Sequence, residues 1–202
     1  MAHVGKYGRS AVVNLLRHND RQIENPGNTD IDPEKKERNI TVLKRGISPY
    51  SYYQQRMAKL HCMNRSDVKT LIGWVVTNPG LSGQEEAKFF RAAYDYMNEL
   101  YGRENCVQCV IHRDESGQDH MHYMAIPAVK DEKHGGEKVC CNEVLTRTHL
   151  RDWHPGLQKL LDERGIKAKV ETGITRRQGG NRTVKEQKAE RDREREVERG
   201  RW

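Results

Sequence analysis

The sequence predicts an α+β domain, an antiparallel β-sheet with helices on one face and a metal site on the other. Three observations lead there. Two β-prone apolar runs, 106–111 and 123–129, flank a Ser-Gly-Gln-Asp turn, the pattern of a hairpin. The stretch 84–101 repeats Ala87, Phe90, Tyr94, Met97 and Leu100 or Tyr101 at helical spacing. Around the turn, residues 112–122 read HRDESGQDHMH and gather three imidazoles and three carboxylates.

The remaining elements follow in order. Residues 1–9 supply a short strand, and Ser10 is positioned to cap a helix carrying Val12, Val13, Leu15 and Leu16. If that helix runs on, His18 and Arg21 share a face at i, i+3. The polar segment 24–45 reads as a loop whose length implies function or disorder. A second helix is expected over 48–60, with Tyr50, Tyr52 and Tyr53 near its start, and a buried strand over 71–77, closed by Asn78-Pro-Gly80. After the hairpin come a turn at 130–136, an edge strand at 138–142 and a helix over 148–164, in which Pro155 marks a kink or a late start. Leu150, Trp153, Leu157, Leu160 and Leu161 of that helix are expected in the core. From Arg182 onward, eight basic and six acidic residues in twenty-one leave almost nothing to bury. The expected division is therefore a domain at 1–181 and a charged helical or disordered extension at 182–202.

At 202 residues the chain is long enough for one sizeable core, and its net charge of +7 suits a polyanionic partner. A modest basic excess discriminates poorly on its own. No apolar run approaches the roughly 20 residues that span a bilayer, and the N-terminus lacks a signal-peptide core, so a cytoplasmic protein without a membrane segment is expected. Five cysteines, an odd number, fit reduced thiols. A zinc site from Cys106, Cys109, Cys140 and Cys141 is disfavoured, because residues three apart in a regular strand face opposite ways.

In a strand, His120 and His122 point the same way, two rises of about 3.3 Å apart. In a hairpin His112 lies across from them, on a face that also carries Gln108 and Val110; the opposite face carries Val107, Cys109, Ile111, Met121, Tyr123 and Ala125. The bland alternative is a set of ordinary hairpin histidines among solvated charges. Three neutral imidazoles leave coordination positions open, as a catalytic ion needs and a closed structural zinc site does not. His61, His134, His149 and His154 have no metal-like spacing and read as background.

His112, Glu115, His120 and His122, in the order H-x-D-E-x4-H-x-H, resemble the metal-binding motif of the MobV (Mob/Pre) plasmid mobilisation relaxases, a branch of the histidine-hydrophobe-histidine endonucleases. The run Arg17-His18-Asn19-Asp20-Arg21, followed by Asn28-Thr-Asp-Ile-Asp-Pro33 and Asn39, is similar to the N-terminal motif of that family. The resemblance spans roughly residues 8 to 184. It implies a palm-like sheet and metal-dependent nicking and joining of one DNA strand at a plasmid transfer origin, the step that starts conjugative mobilisation. His18 takes the position of the nucleophile implicated in that family.

Within that frame His112, His120 and His122 would hold a divalent ion. Three imidazoles suit manganese, and oxygen-preferring magnesium is the poorer occupant. Glu115, at the start of the turn, is placed to take the imidazole proton, to orient His18 or to contact the ion. The planar fork of Arg21 suits a phosphate. Tyr50, Tyr52 and Tyr53 are rival nucleophiles, with packing or base stacking as their other use. Arg38, Lys44, Arg45, Arg176, Arg177 and Arg182 are candidates to track the DNA backbone. The expected partner is single-stranded or hairpin origin DNA, with a homodimer formed through a further C-terminal region. The alternatives are a replication initiator or transposase of the same superfamily, a metallohydrolase using water, and a DNA-binding repressor with a structural metal.

Overall fold

A computed structural model of the protein describes residues 2–24, 28–170 and Arg193. The chain divides into two units, Met1–Glu171 and Thr172–Trp202. The expected boundary at 181 and, apart from Arg193, the extension 182–202 lie outside the described residues, as do Arg176, Arg177 and Arg182.

The first unit is built on five strands: β1 (Ala2–Gly8), β2 (Ile40–Thr41), β3 (Lys69–Thr77), β4 (Cys106–His112) and β5 (His120–Ala125). They form one antiparallel sheet in the order β1-β3-β5-β4-β2, with β5 at its centre between β3 and β4. Two short strands, β6 (Ala128–Lys130) and β7 (Glu137–Val139), pair as a separate hairpin. The edge strand expected at 138–142 is this β7, one residue earlier and shorter.

The helices are α1 (Arg9–Asn19), α2 (Pro49–Met57), α3 (Gly83–Tyr101), α4 (Cys141–Val144) and α5 (Arg147–Glu163), with a 3-10 turn at Pro33–Arg38. Their local signals are readable. Ser48 accepts a hydrogen bond from the Ser51 amide with Pro49 in the first turn, and Thr146 does the same for His149. Pro155 lies inside α5, neither starting nor ending it. Ser10 is not a cap, since α1 begins at Arg9 behind an extended Gly8.

Helices α3 and α5 cover one sheet face. Phe89, Phe90, Ala93, Tyr94, Met97 and Tyr101 of α3, with Trp153, Leu157 and Leu161 of α5, meet Ile72, Trp74, Val76, Cys109, Ile111, Met121 and Tyr123. Trp153 stacks on Trp74 at 4.4 Å between ring centroids. The stripe on α3 is centred one residue from expectation, so that Phe89 is buried and Ala87 exposed; on α5, Leu150 is likewise exposed.

The expectation of helices on one face only is corrected. Val12 and Leu16 of α1 and Tyr53 of α2 bury against Leu71, Val107, Met124 and Ile126 on the other face, the one that carries the histidines. That face is therefore covered at one end and open at the other. A register shift between Cys106 and Gln108 produces a second correction. The bulge turns Val107 to the α1 side and puts Cys106 beside Cys109 in the α3 side of the core, although a regular strand would have separated them. Both thiols are free and pushed upward in pKa by burial.

Candidate metal centre and active site

The register brings the three histidines together. His112 pairs with His120, and His122 lies two residues further along β5, opposite Val110 and Val75. One nitrogen from each ring lies within 4.8 Å of the others, with ring centroids 4.6 to 5.5 Å apart.

The tautomers follow from the neighbours. The Nε2 of His112 lies 2.8 Å from the carbonyl oxygen of Asn19, so it carries the proton and donates, leaving the Nδ1 lone pair free. That Nδ1 is buried and has no hydrogen-bond partner. His120 uses Nδ1 toward the carbonyl of Gln118 at 3.0 Å, which frees Nε2. Burial holds His112 down to about 4 and His122 well below the usual imidazole range, so both rings are neutral near pH 7. An orphaned buried lone pair among converging neutral imidazoles fits a divalent cation.

The carbonyl that orients His112 belongs to the end of α1. There Asn19 donates to the Gln108 side chain at 3.0 Å, and Gln108 donates back to the carbonyl of Leu16 at 3.0 Å. The helix stops at Asn19, so His18 and Arg21 do not share a helical face. Arg21 instead takes a positive φ of 54°, sharply reversing the chain.

The guanidinium of Arg21 is committed to carboxylates. It donates to Asp114 at 2.6 and 2.7 Å and to Glu115 at 2.7 Å, with its side chain 6% exposed. Asp114 is fully enclosed. Burial alone would raise its pKa, but hydrogen bonds from Arg21 and Asn39 hold it below the usual carboxylate value. Glu115 stands between Arg21 and the histidines, its oxygens 3.9 Å from His112 Nδ1 and 3.8 Å from His120 Nε2.

The described residues of the loop expected over 24–45 include the 3-10 turn and β2, and they are tied to the β4–β5 turn. Ile31 bridges Glu115, the Asp32 amide donates to the carbonyl of Asp114, and Asn39 receives the Arg113 amide while donating to the Asp114 carboxylate. Arg113 in turn reaches Glu86 of α3 at 2.7 Å and Asp119 at 3.1 Å. Asp114, Asn39, Gln108 and Arg113 thus frame the site. Strand alternation put Gln108 on the histidine face, but no local signal pairs Asp114, Gln108 or Arg113 with partners 27 to 93 positions away.

His18 is half-buried. Burial and then the charge of Arg21 lower its pKa, against the opposing pull of Glu115 and Asp114. It lines a cavity of about 410 Å³ with Arg21, Ile31, Lys36 and Asp114. A neighbouring groove of about 540 Å³ runs past Arg21, Lys36, Asn39, Lys44 and Arg45. Lys44 is exposed there, as is Arg38 in the 3-10 turn. Arg45 is tied to the protein, donating to the carbonyl of Cys106 at 2.9 Å and lying 3.6 Å over the ring of Tyr52. Tyr53 is buried and donates to Thr70, Tyr52 donates to the carbonyl of Glu104, and Tyr50 stacks near Tyr53.

A model of the Mob_Pre family, described as plasmid recombination enzyme, matches residues 1–189. The chain belongs to that family. Curated plasmid recombination enzymes from Bacillus thuringiensis and Lactiplantibacillus plantarum are 28% and 26% identical to it, over 73% and 98% of the chain. The chain spans 34% of the first relative's length and 55% of the second's. Among solved structures, a MobM relaxase domain, manganese-bound and in complex with plasmid oriT DNA, has the same fold: TM-score 0.75, 21% identity, 94% of this chain and 97% of that one. The end of α1 and the loop after it lie on one side of the site and the β4–β5 turn on the other. Among the described residues no helix is long and apolar enough to cross a membrane.

Proposed function

We propose that this plasmid recombination enzyme nicks and rejoins one DNA strand at a plasmid transfer origin, using a divalent ion on His112, His120 and His122 and a covalent link to His18. The observation that carries the reading is the buried, unpartnered Nδ1 of His112 among converging imidazoles, beside a half-buried His18 whose pKa is lowered. The manganese in the related relaxase domain supports the choice of metal, and its oriT DNA supports the choice of substrate.

When bound, a divalent ion at this position supplies positive charge to a non-bridging phosphate oxygen and makes phosphorus more electrophilic. A neutral imidazole is already a competent nucleophile at neutral pH. Attack by His18 forms a nitrogen–phosphorus bond to the 5′ phosphate as the bond to the 3′ oxygen breaks. The proton lost from the imidazole ring balances the one the 3′ oxygen takes up. Because the adduct retains much of the bond energy, the 3′ hydroxyl can reverse the step and rejoin the strand.

Glu115 would help the three histidines hold the ion in this reading, since its oxygens lie 3.9 Å from His112 Nδ1 and 3.8 Å from His120 Nε2. Arg21 acts as a positioning residue that holds Glu115 and Asp114 and thereby the turn, and the free phosphate contacts fall to Arg38 and Lys44 along the groove. Arg45 shapes the groove through Tyr52. The test is incubation of the full chain with manganese and supercoiled plasmids bearing candidate origins. Relaxed circles carrying covalent protein, absent for His18→Ala, are expected. Intact plasmids that the protein merely shifts in a gel would favour a DNA-binding repressor.

A further inference from the structure

We propose a second metal site, selective for zinc, formed by His61, Asp131 and His134 at the β6–β7 hairpin and sharing no residue with the first. Their sequence spacing gave no hint of it, because His61 comes from the segment that follows α2, seventy positions before Asp131. The fold closes that gap. The His61 amide donates to the carbonyl of Glu137 at 2.9 Å, and the Val139 amide donates to the carbonyl of His61 at 2.9 Å. His61 thus forms a parallel bridge with Lys138, alongside β7. Asp131 and His134 sit in the turn of the same hairpin, between β6 and β7, which the Asp131 amide closes on the carbonyl of Gly136.

One ligand atom from each of the three side chains lies within 4.8 Å of the others. The two imidazoles stack face to face at 4.1 Å between centroids and 17° between planes, and His134 Nδ1 lies 2.8 Å from an Asp131 oxygen. In a tetrahedral zinc site with bonds near 2.1 Å, ligand atoms stand about 3.4 Å apart. Both histidines are exposed, so their rings are free to turn out of the stack and direct their in-plane lone pairs at one ion, while Asp131 is buried. Turn capping alone accounts for Asp131 and its bond to His134. It gives no role to an exposed His61 lying flat against a second imidazole.

Two imidazoles and one carboxylate suit zinc better than magnesium or calcium, and a water would complete four-coordination. An ion there clips the segment after α2 to the hairpin, next to the Arg56–Glu137 ion pair at 2.6 Å. The proposal is independent of the nicking reaction.

Equilibrium dialysis of the chelator-stripped 202-residue chain against micromolar zinc, with the metal counted by plasma mass spectrometry, tests it. The native sequence should take up two zinc ions per chain. His134→Ala and, separately, His61→Ala should each take up one, and His120→Ala/His122→Ala should keep one that adding His134→Ala removes. A native sequence whose zinc is lost entirely in His120→Ala/His122→Ala, or two ions retained by both His134→Ala and His61→Ala, would overturn the second site. Far-ultraviolet circular dichroism on each variant separates loss of a ligand from loss of fold. If the double variant unfolds, the single-variant counts decide.

Discussion

Replacing Arg21 with alanine tests the internal frame of the site. Its guanidinium makes three contacts of 2.6 to 2.7 Å, two to Asp114 and one to Glu115, and the Asp114 side chain has no solvent access. Without Arg21, the Asp114 carboxylate keeps the Asn39 amide at 2.7 Å as its side-chain donor. Breaking a buried pair from one side costs about 3–5 kcal/mol, because the remaining charge stays buried without compensation. Arg21 also sits at a φ of 54°, a region that costs a side chain about 1–2 kcal/mol and glycine nearly nothing. Arg21→Gly should therefore be less damaging than Arg21→Ala by roughly 1 kcal/mol, although both remove the same charge. Urea unfolding in chelator at neutral pH measures both. Arg151→Ala, which removes an exposed Arg151–Asp152 pair, should change stability by less than about 0.5 kcal/mol. Protonating Asp114 relieves the uncompensated charge, so the Arg21→Ala deficit should shrink as pH falls toward 4. A deficit below about 1 kcal/mol at neutral pH, or alanine and glycine variants of equal stability, would refute this account.

His120→Ala/His122→Ala should keep the fold while losing manganese uptake and nicking, read by metal analysis and plasmid relaxation; full activity in chelator would exclude the metal reading. Burial and the charge of Arg21 lower the pKa of His18, which keeps its ring neutral further into the acid range, so the acid-side fall in single-turnover nicking should come at a lower pH than for an ordinary imidazole. Mass spectrometry of the trapped adduct should find the nucleotide on His18 through an acid-labile bond, and a label on Tyr50, Tyr52 or Tyr53 would reassign the nucleophile. Trp153→Ala, which empties a buried site stacked on Trp74, should cost about 3–5 kcal/mol of unfolding free energy, by the same urea assay. Binding of single-stranded origin DNA should weaken with salt, with a log-log slope of about 0.7 per phosphate contacted. A flat salt response would remove the phosphate role of Arg38 and Lys44.

Much of the architecture was legible in the sequence because the signals are short-range. Period-two alternation places His112, His120 and His122 on one face as soon as the turn is located, and the apolar spacing of α3 and α5 marks their buried sides within one residue. Turn residues act over three or four positions, so the Ser-Gly-Gln-Asp reversal could be read directly, whereas the cap expected at Ser10 was displaced because α1 already begins at Arg9.

What the tertiary structure decided lies at long range or at irregularities. One bulge at Cys106 reversed the expected sides of Val107 and Cys106, because inserting a residue changes the parity of everything before it. The end of α1 at Asn19 turned Arg21 from a free phosphate fork into the partner of two carboxylates more than ninety positions away. His61, Asp131 and His134 read as unrelated until a β-bridge aligned them. A hydrophobic pattern specifies which face of an element is buried, but it does not specify which polar groups meet once those faces are packed. That pairing depends on chain reversals and register, and the sequence alone determines these only where the turn itself is local.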